Sequence, residues 1–182
     1  MQITAATPAD AAELAAIYGY HVVHGTGSYE FAPPDAAEMA ARLARIQAAG
    51  WPWLVARDDD GAVLGYAYLS QFRDRPAYRY VAENSIYVRH DRHGQGTGKA
   101  LMAALLVAAE QCGFRQMIAV IGGAGPASMA LHAAMGFTLA GRLHAMGRKH
   151  GQWLDNVYMQ RAIGPGSQTP PAGEPDRDYE PS

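Results

Sequence analysis

Little in this sequence supports a cross-link, a membrane span or a polyanion-binding surface. Cysteine occurs once among 182 residues, at Cys112. No internal disulfide can form, and a reducing cytoplasm is the expected compartment. No apolar run approaches the ~20 residues that a helix needs to cross a bilayer. The N-terminus has no basic segment followed by an apolar stretch, so no secretory leader is expected. Lys and Arg number 15 against 17 Asp and Glu, a formal net charge of −2. The basic residues form no stripe, which argues against nucleic acid or an anionic membrane as the main partner. No internal repeat is evident.

What is present centres on one stretch, Glu83 to Ala109. Ile86, Tyr87 and Val88 are strand formers in an alternating run. Gly94-Gln95-Gly96-Thr97-Gly98-Lys99 follows, and then Leu101, Leu105, Ala108 and Cys112 recur at helical spacing up to Gly113. On that spacing Cys112 is expected in the core, inert. The order is strand, glycine-rich turn, helix. The first turn of a helix carries backbone N–H groups without internal partners at the positive end of the macrodipole, so this turn suits a phosphate or pyrophosphate. A bare, tight connection would use the same glycines. A dinucleotide fingerprint needs glycine where Lys99 stands. A P-loop needs glycine at His93 and a hydroxyl at Ala100. Both nucleotide motifs therefore fail at named positions.

The rest of the chain reads as one α/β domain, a central sheet with helices on both faces, over residues 1–163. Strands are expected at Gln2–Ala5, Trp53–Arg57, Val63–Leu69, Ala82–Val88, Phe114–Ile121, Phe137–Leu143 and Trp153–Gln160. Thr7-Pro8-Ala9-Asp10 opens a first helix that Gly25-Thr26-Gly27-Ser28 breaks. Asp35, with Glu38 three residues on, caps a second helix. Ser128–Met135 is a short helix closed by Gly136, and Phe72–Tyr78 is a loop. Residues 164–182 are rich in Pro, Gly, Ser, Asp and Glu and are expected to be a disordered tail. The pairs His21/His24 and His90/His93 have no identifiable third ligand, so no metal is expected.

The run His93-Gly94-Gln95-Gly96-Thr97-Gly98 resembles the acetyl-CoA loop, R/Q-x-x-G-x-G/A, of the GCN5-related N-acetyltransferases, with His93 in place of Arg or Gln. The resemblance runs from about Ile3 to Arg161 and is nearest to the phosphinothricin and methionine-sulfoximine N-acetyltransferase branch. Pro52–Ala56, Phe72–Tyr78, Ala82–Val88, Ala119–Gly122, Leu131–Phe137 and Lys149–Asp155 carry that narrower match, in the branch's order.

The resemblance implies acetyl-CoA as co-substrate, a small amino acid or analogue as acceptor, and a homodimer. It implies a mixed sheet splayed open between the strands at Ala82–Val88 and Phe114–Ile121. The pantetheine arm would pair with Ile86, Tyr87 and Val88, and the pyrophosphate would sit on Gly94, Gln95, Gly96, Thr97, Gly98 and Lys99. Gly125 and Ser128 would border the cofactor, with Gly125 standing where relatives have Asn. Glu83 is the expected general base, against its alternative as a strand-end carboxylate. His132 stands where many relatives have a tyrosine that protonates the leaving thiolate. A histidine packed beside the cofactor is the other reading. Arg75 and Tyr78, with Glu83 and Asn84, would hold the amino acid. Arg73 is equally basic, and only the branch pattern favours Arg75. Trp153 is expected in a core or subunit contact. The competing function is a module that binds acetyl-CoA without turning it over.

Overall fold

A computed structural model describes residues 1–171. Seven strands form one sheet in the order β1-β2-β3-β4-β5-β7-β6: β1 Gln2–Ala5, β2 Trp53–Arg57, β3 Val63–Gln71, β4 Val81–Val88, β5 Gln116–Gly122, β6 Thr138–Lys149 and β7 Gln152–Ala162. Every neighbouring pair is antiparallel except β4 and β5, which run parallel. A parallel pair needs a crossover, and the helix α3, Thr97–Gln111, supplies it. The β4–β5 ladder covers only Val81–Asn84 against Gln116–Ala119. Past Asn84 the two strands part, while β4 stays paired with β3 as far as Val88. The sheet therefore opens where the resemblance implied.

Each face of the sheet carries its own core. Helices α1, Ala11–His24, and α2, Ala36–Ala48, cover one face with Leu14, Ile17, Val22, Met39 and Leu43 against Val55 and Tyr66. Asp35 caps α2 by accepting the Glu38 N–H at 2.8 Å. At the start of the chain a single 3-10 turn, Pro8–Asp10, leads into α1. The buried Asp10 carboxylate takes the Thr7 N–H at 2.7 Å and pairs with Arg57 at 2.5 Å. On the other face Leu101, Met102, Leu105 and Ala109 of α3 pack against Ala67, Leu69, Met117 and Val157. The short helix α4, Pro126–Ala134, lies on this side too.

Four expectations need correction or extension. Cys112 is exposed, not core. The helix ends at Gln111, the buried stripe turns through Ala109 rather than Ala108, and Cys112 caps the end just before Gly113 reverses the chain at φ 80°. Strand β6 continues to Lys149, beyond the expected Leu143. Register irregularities at Leu139/Gly141 and Leu143/Gly147, and Ala145 at φ 55°, break the alternation that would have revealed it. Trp153 is 66% exposed, so it is no part of this chain's core. Residues 164–171 form turns, and Arg115 donates to the carbonyls of Gly166 and Pro170. The expected disorder of residues 172–182 lies outside the described residues. No described helix is long and apolar enough to cross a membrane.

Candidate active site

The gap between β4 and β5 is one end of a cavity of about 900 Å3. The turn from β4 into α3 forms its first wall. Gly94 and Gly96 have φ of 75° and 84°, the left-handed region that side chains avoid, and a Cβ on either would meet nothing within 4 Å. Glycine is needed here for backbone direction, and it leaves the face above the turn open. The first intrahelical bond runs from the Ala100 N–H to the Gly96 carbonyl, so the N–H groups of Thr97, Gly98 and Lys99 have no helical partner. Gly98 serves close packing instead: a Cβ there would stand 3.3 Å from Leu131 of α4. This turn fits a phosphate group, with the Lys99 charge beside it.

His21 of α1 joins this wall, which the sequence did not reveal. His21 and His93 donate from Nε2 to the same Val88 carbonyl, at 2.8 and 3.2 Å. Their rings stack with centroids 6.1 Å apart. Burial holds His21 below the usual histidine value. His93 thus turns back onto β4.

Along β4 the side chains alternate between faces. Tyr87 pairs with Tyr66 and meets Tyr18 edge-on at 4.9 Å, which fixes Glu83, Ser85 and Tyr87 on the α1/α2 side. Glu83 is half-buried and lines the cavity. Burial pushes its carboxyl above the usual range, and the Arg73 charge partly opposes that. Asn84 faces the other way, towards α3 and α4. Its Nδ2 stands 2.9 Å from His132 Nε2 and 3.8 Å from Met102 Sδ. His132 Nδ1 lies 2.7 Å from the Ser128 carbonyl oxygen. Asn84 and His132 are 6% and 2% exposed, yet both line the cavity.

The far wall is the connection between α1 and α2. Ser28, Tyr29 and Glu30 line the cavity there. Tyr29 donates to Asn156 Oδ1 at 2.6 Å, and Lys149 Nζ donates to the Ser28 carbonyl at 2.7 Å. The Tyr18 hydroxyl meets Ser28 Oγ at 2.8 Å and donates to Glu30 at 2.9 Å, while Arg42 grips the same carboxylate with two nitrogens. A Cβ on Gly147 would come within 2.6 Å of the Tyr29 ring, so that glycine is what lets the connection lie on β6.

Of the expected site residues, Glu83, Asn84, Ile86, Tyr87, Val88, Gly94, Gly96, Thr97, Gly98, Lys99, Gly125, Ser128 and His132 line this cavity. Gln95 belongs to the turn but not to the lining. Arg75 and Tyr78 are outside it and exposed. Their segment folds through a 3-10 turn, Pro76–Tyr78, and Gln71 Nε2 donates to the carbonyls of Arg73 and Arg75. Arg73, not Arg75, is the arginine of this segment whose charge reaches Glu83. Gly125 caps α4 with open space where a side chain would stand, so an amide there is missing rather than excluded. No group of three or more described His, Cys, Asp or Glu could hold a metal ion.

A parallel pair that opens beside a glycine turn, with a half-buried carboxyl on one face, is the arrangement that the resemblance implied. The sequence agrees: residues 3–158 match the profile described as an acetyltransferase (GNAT) domain. The chain belongs to the GNAT acetyltransferase family. It is 47% identical over 163 residues to a phosphinothricin N-acetyltransferase of Alcaligenes faecalis, covering 89% of this chain and 82% of the relative. It is 36% identical over 162 residues to an L-methionine sulfoximine/L-methionine sulfone acetyltransferase of Pseudomonas paraeruginosa, covering 89% and 94%. A crystal structure of a GNAT-superfamily phosphinothricin acetyltransferase from Sinorhizobium meliloti, in complex with AcCoA, superposes with a TM-score of 0.93 at 49% identity. That match covers 94% of this chain and 93% of the other.

Proposed function

We propose that this GNAT domain transfers the acetyl group of acetyl-CoA to the α-amine of a small amino acid or analogue of the phosphinothricin, methionine sulfoximine or methionine sulfone type. The observation that carries the reading is the parting of β4 from β5 after Asn84, with the phosphate turn at one end and Glu83 at the other. The turn would hold the diphosphate on backbone N–H groups. The edge of Ile86–Val88 would carry the pantetheine arm. The two faces of β4 then divide the work: the thioester lies towards Asn84 and α4, and the amine arrives from the α1/α2 side, where Glu83 stands.

An ammonium has no lone pair with which to attack. Glu83 accepts its proton, directly or through a water, and its half-buried carboxylate is a stronger base than an exposed one. Arg73 supplies positive charge at the acid end of the substrate, ahead of Arg75. The reading extends to a cytoplasmic homodimer. Leu139, Leu143 and Met146 on the outermost strand β6 and Trp153 on β7 are 64%, 45%, 49% and 66% exposed, and a second copy of the chain would cover them. Incubation with acetyl-CoA and L-phosphinothricin, followed by mass spectrometry, should give the N-acetyl product. Acetyl-CoA bound in calorimetry but no acetylated product from any amino acid would leave only a binding module.

A further inference from the structure

His132 is buried beside the thioester end of the cavity, and the bonds it makes restrict where its protons are. The Ser128 carbonyl can only accept, so the contact of 2.7 Å requires a proton on Nδ1. Nε2 faces the Asn84 amide at 2.9 Å. In a neutral ring Nε2 is then a lone pair, and Asn84 donates to it.

The alternative is a doubly protonated ring with the amide reversed, so that Asn84 Oδ1 accepts from Nε2–H. Three observations oppose it. Asn84 already directs Nδ2 towards Met102 Sδ, a weak acceptor that would repel Oδ1. The groups facing the ring are Asn84 from β4, Ser128 from α4 and the Phe137 edge at 5.0 Å, none of them charged. Glu83, the next residue on β4, points to the opposite face. The orientation described leaves Oδ1 buried and unpartnered, but an unpaired neutral acceptor costs less than an unpaired buried charge. Burial also holds the ring below the usual histidine value.

We propose that His132 is a positioning residue, held by Asn84 and Ser128 as the neutral Nδ1–H ring, and not the proton donor to the leaving thiolate. Its task is mechanical. The Asn84–His132 bond ties α4 to β4 at the residue where the sheet opens, and so fixes the width of the gap that the pantetheine arm enters. The proton balance needs no donor from His132. An ammonium becomes an amide by losing two protons; one ends on the thiol and one reaches solvent, and both start on the substrate nitrogen.

The inference rests on the acetyltransferase reading, but its main test involves no turnover. Long-range proton–nitrogen correlation spectra of the full chain, with His132 assigned by its loss in His132→Gln, should give a protonated Nδ1 and an unprotonated Nε2 from pH 7 to 8. Asn84→Asp, whose carboxylate accepts, should put a proton on Nε2 in the same range. A wild-type ring protonated on Nε2 at pH 7 would overturn the proposal. In kinetics, His132→Gln should raise the acetyl-CoA KM several-fold, keep kcat within tenfold and leave the shape of the kcat–pH profile unchanged. A hundredfold fall in kcat with a changed profile at alkaline pH would mark His132 as the acid instead.

Discussion

Replacing Glu83 by Gln removes a base while keeping size and shape, and it isolates the chemistry of the cavity. Glu83 sits in register between Ser70 and Ile118, half-buried, with its carboxyl pushed up by burial. An α-amine with a pKa near 8 is about nine-tenths protonated at pH 7. Without a base only the remaining tenth can react, and the proton lost during attack has no acceptor. General-base assistance contributes ~10²–10⁴-fold, so kcat at pH 7 should fall by that factor, roughly 3–5 kcal/mol of transition-state stabilisation. Raising the pH from 7 to 9 should restore up to about tenfold in the variant as free amine accumulates. Acetyl-CoA affinity, measured by calorimetry, should stay near wild type, because the phosphate turn is at the other end of the cavity.

Stability should not fall. A carboxyl whose folded pKa is raised contributes stability that is present below its unfolded pKa and lost as pH rises through the folded one. At neutral pH the ionised Glu83 is therefore a burden, and Gln should melt at the same temperature or higher. A Glu83→Gln enzyme that keeps more than half its kcat at pH 7 would refute the assignment and return Glu83 to a strand-end carboxylate.

Gly96→Val should weaken acetyl-CoA binding at least tenfold while the fold persists, because a β-branched residue cannot keep φ at 84°; unchanged calorimetric affinity would remove the turn from the cofactor site. Lys99→Ala should cost less, on the order of 1 kcal/mol. Arg73→Ala should raise the amino-acid KM more than Arg75→Ala does, with little change for acetyl-CoA; the reverse order would restore Arg75 to the acid end of the substrate. Asp10→Asn breaks a pair that is buried on the Asp side and should cost about 3 kcal/mol, a fall in Tm of roughly 6–12 °C. Thermal melts should also show wild type losing this contribution as pH falls, since Arg57 and Thr7 outweigh burial and hold the Asp10 carboxyl below its usual value.

The strand–turn–helix was legible because it is local: alternation, glycines that need positive φ and helical spacing all lie within thirty residues of chain. The opening of the sheet was not. It depends on where β5 stops pairing, and only the family resemblance placed it. The Gly25–Ser28 segment was readable as a helix break, but a break says where the chain turns and not where it lands. Tyr29 reaching Asn156, and Lys149 reaching Ser28, join residues more than a hundred positions apart, and no pattern in the sequence announces them. His21 was hidden in the same way: in the sequence it stood out only as a partner of His24, and nothing announced its bond to the Val88 carbonyl, 67 positions away. Arg73 and Arg75 are two residues apart in a polar loop, and only in the folded chain does the Arg73 charge stand out as the one that acts on Glu83. Cys112 went wrong for a smaller reason: extrapolating a stripe past Ala109 ignores the fact that the helix ends at Gln111.

Release of free thiol from acetyl-CoA, followed across a panel of amines, tests the central claim most directly. L-phosphinothricin, L-methionine sulfoximine and L-methionine sulfone should each give one thiol per N-acetyl product. Polyamines, which lack the carboxylate, should be poor acceptors. No thiol release above the uncatalysed rate with any amino acid, in a protein that still binds acetyl-CoA, would contradict the account.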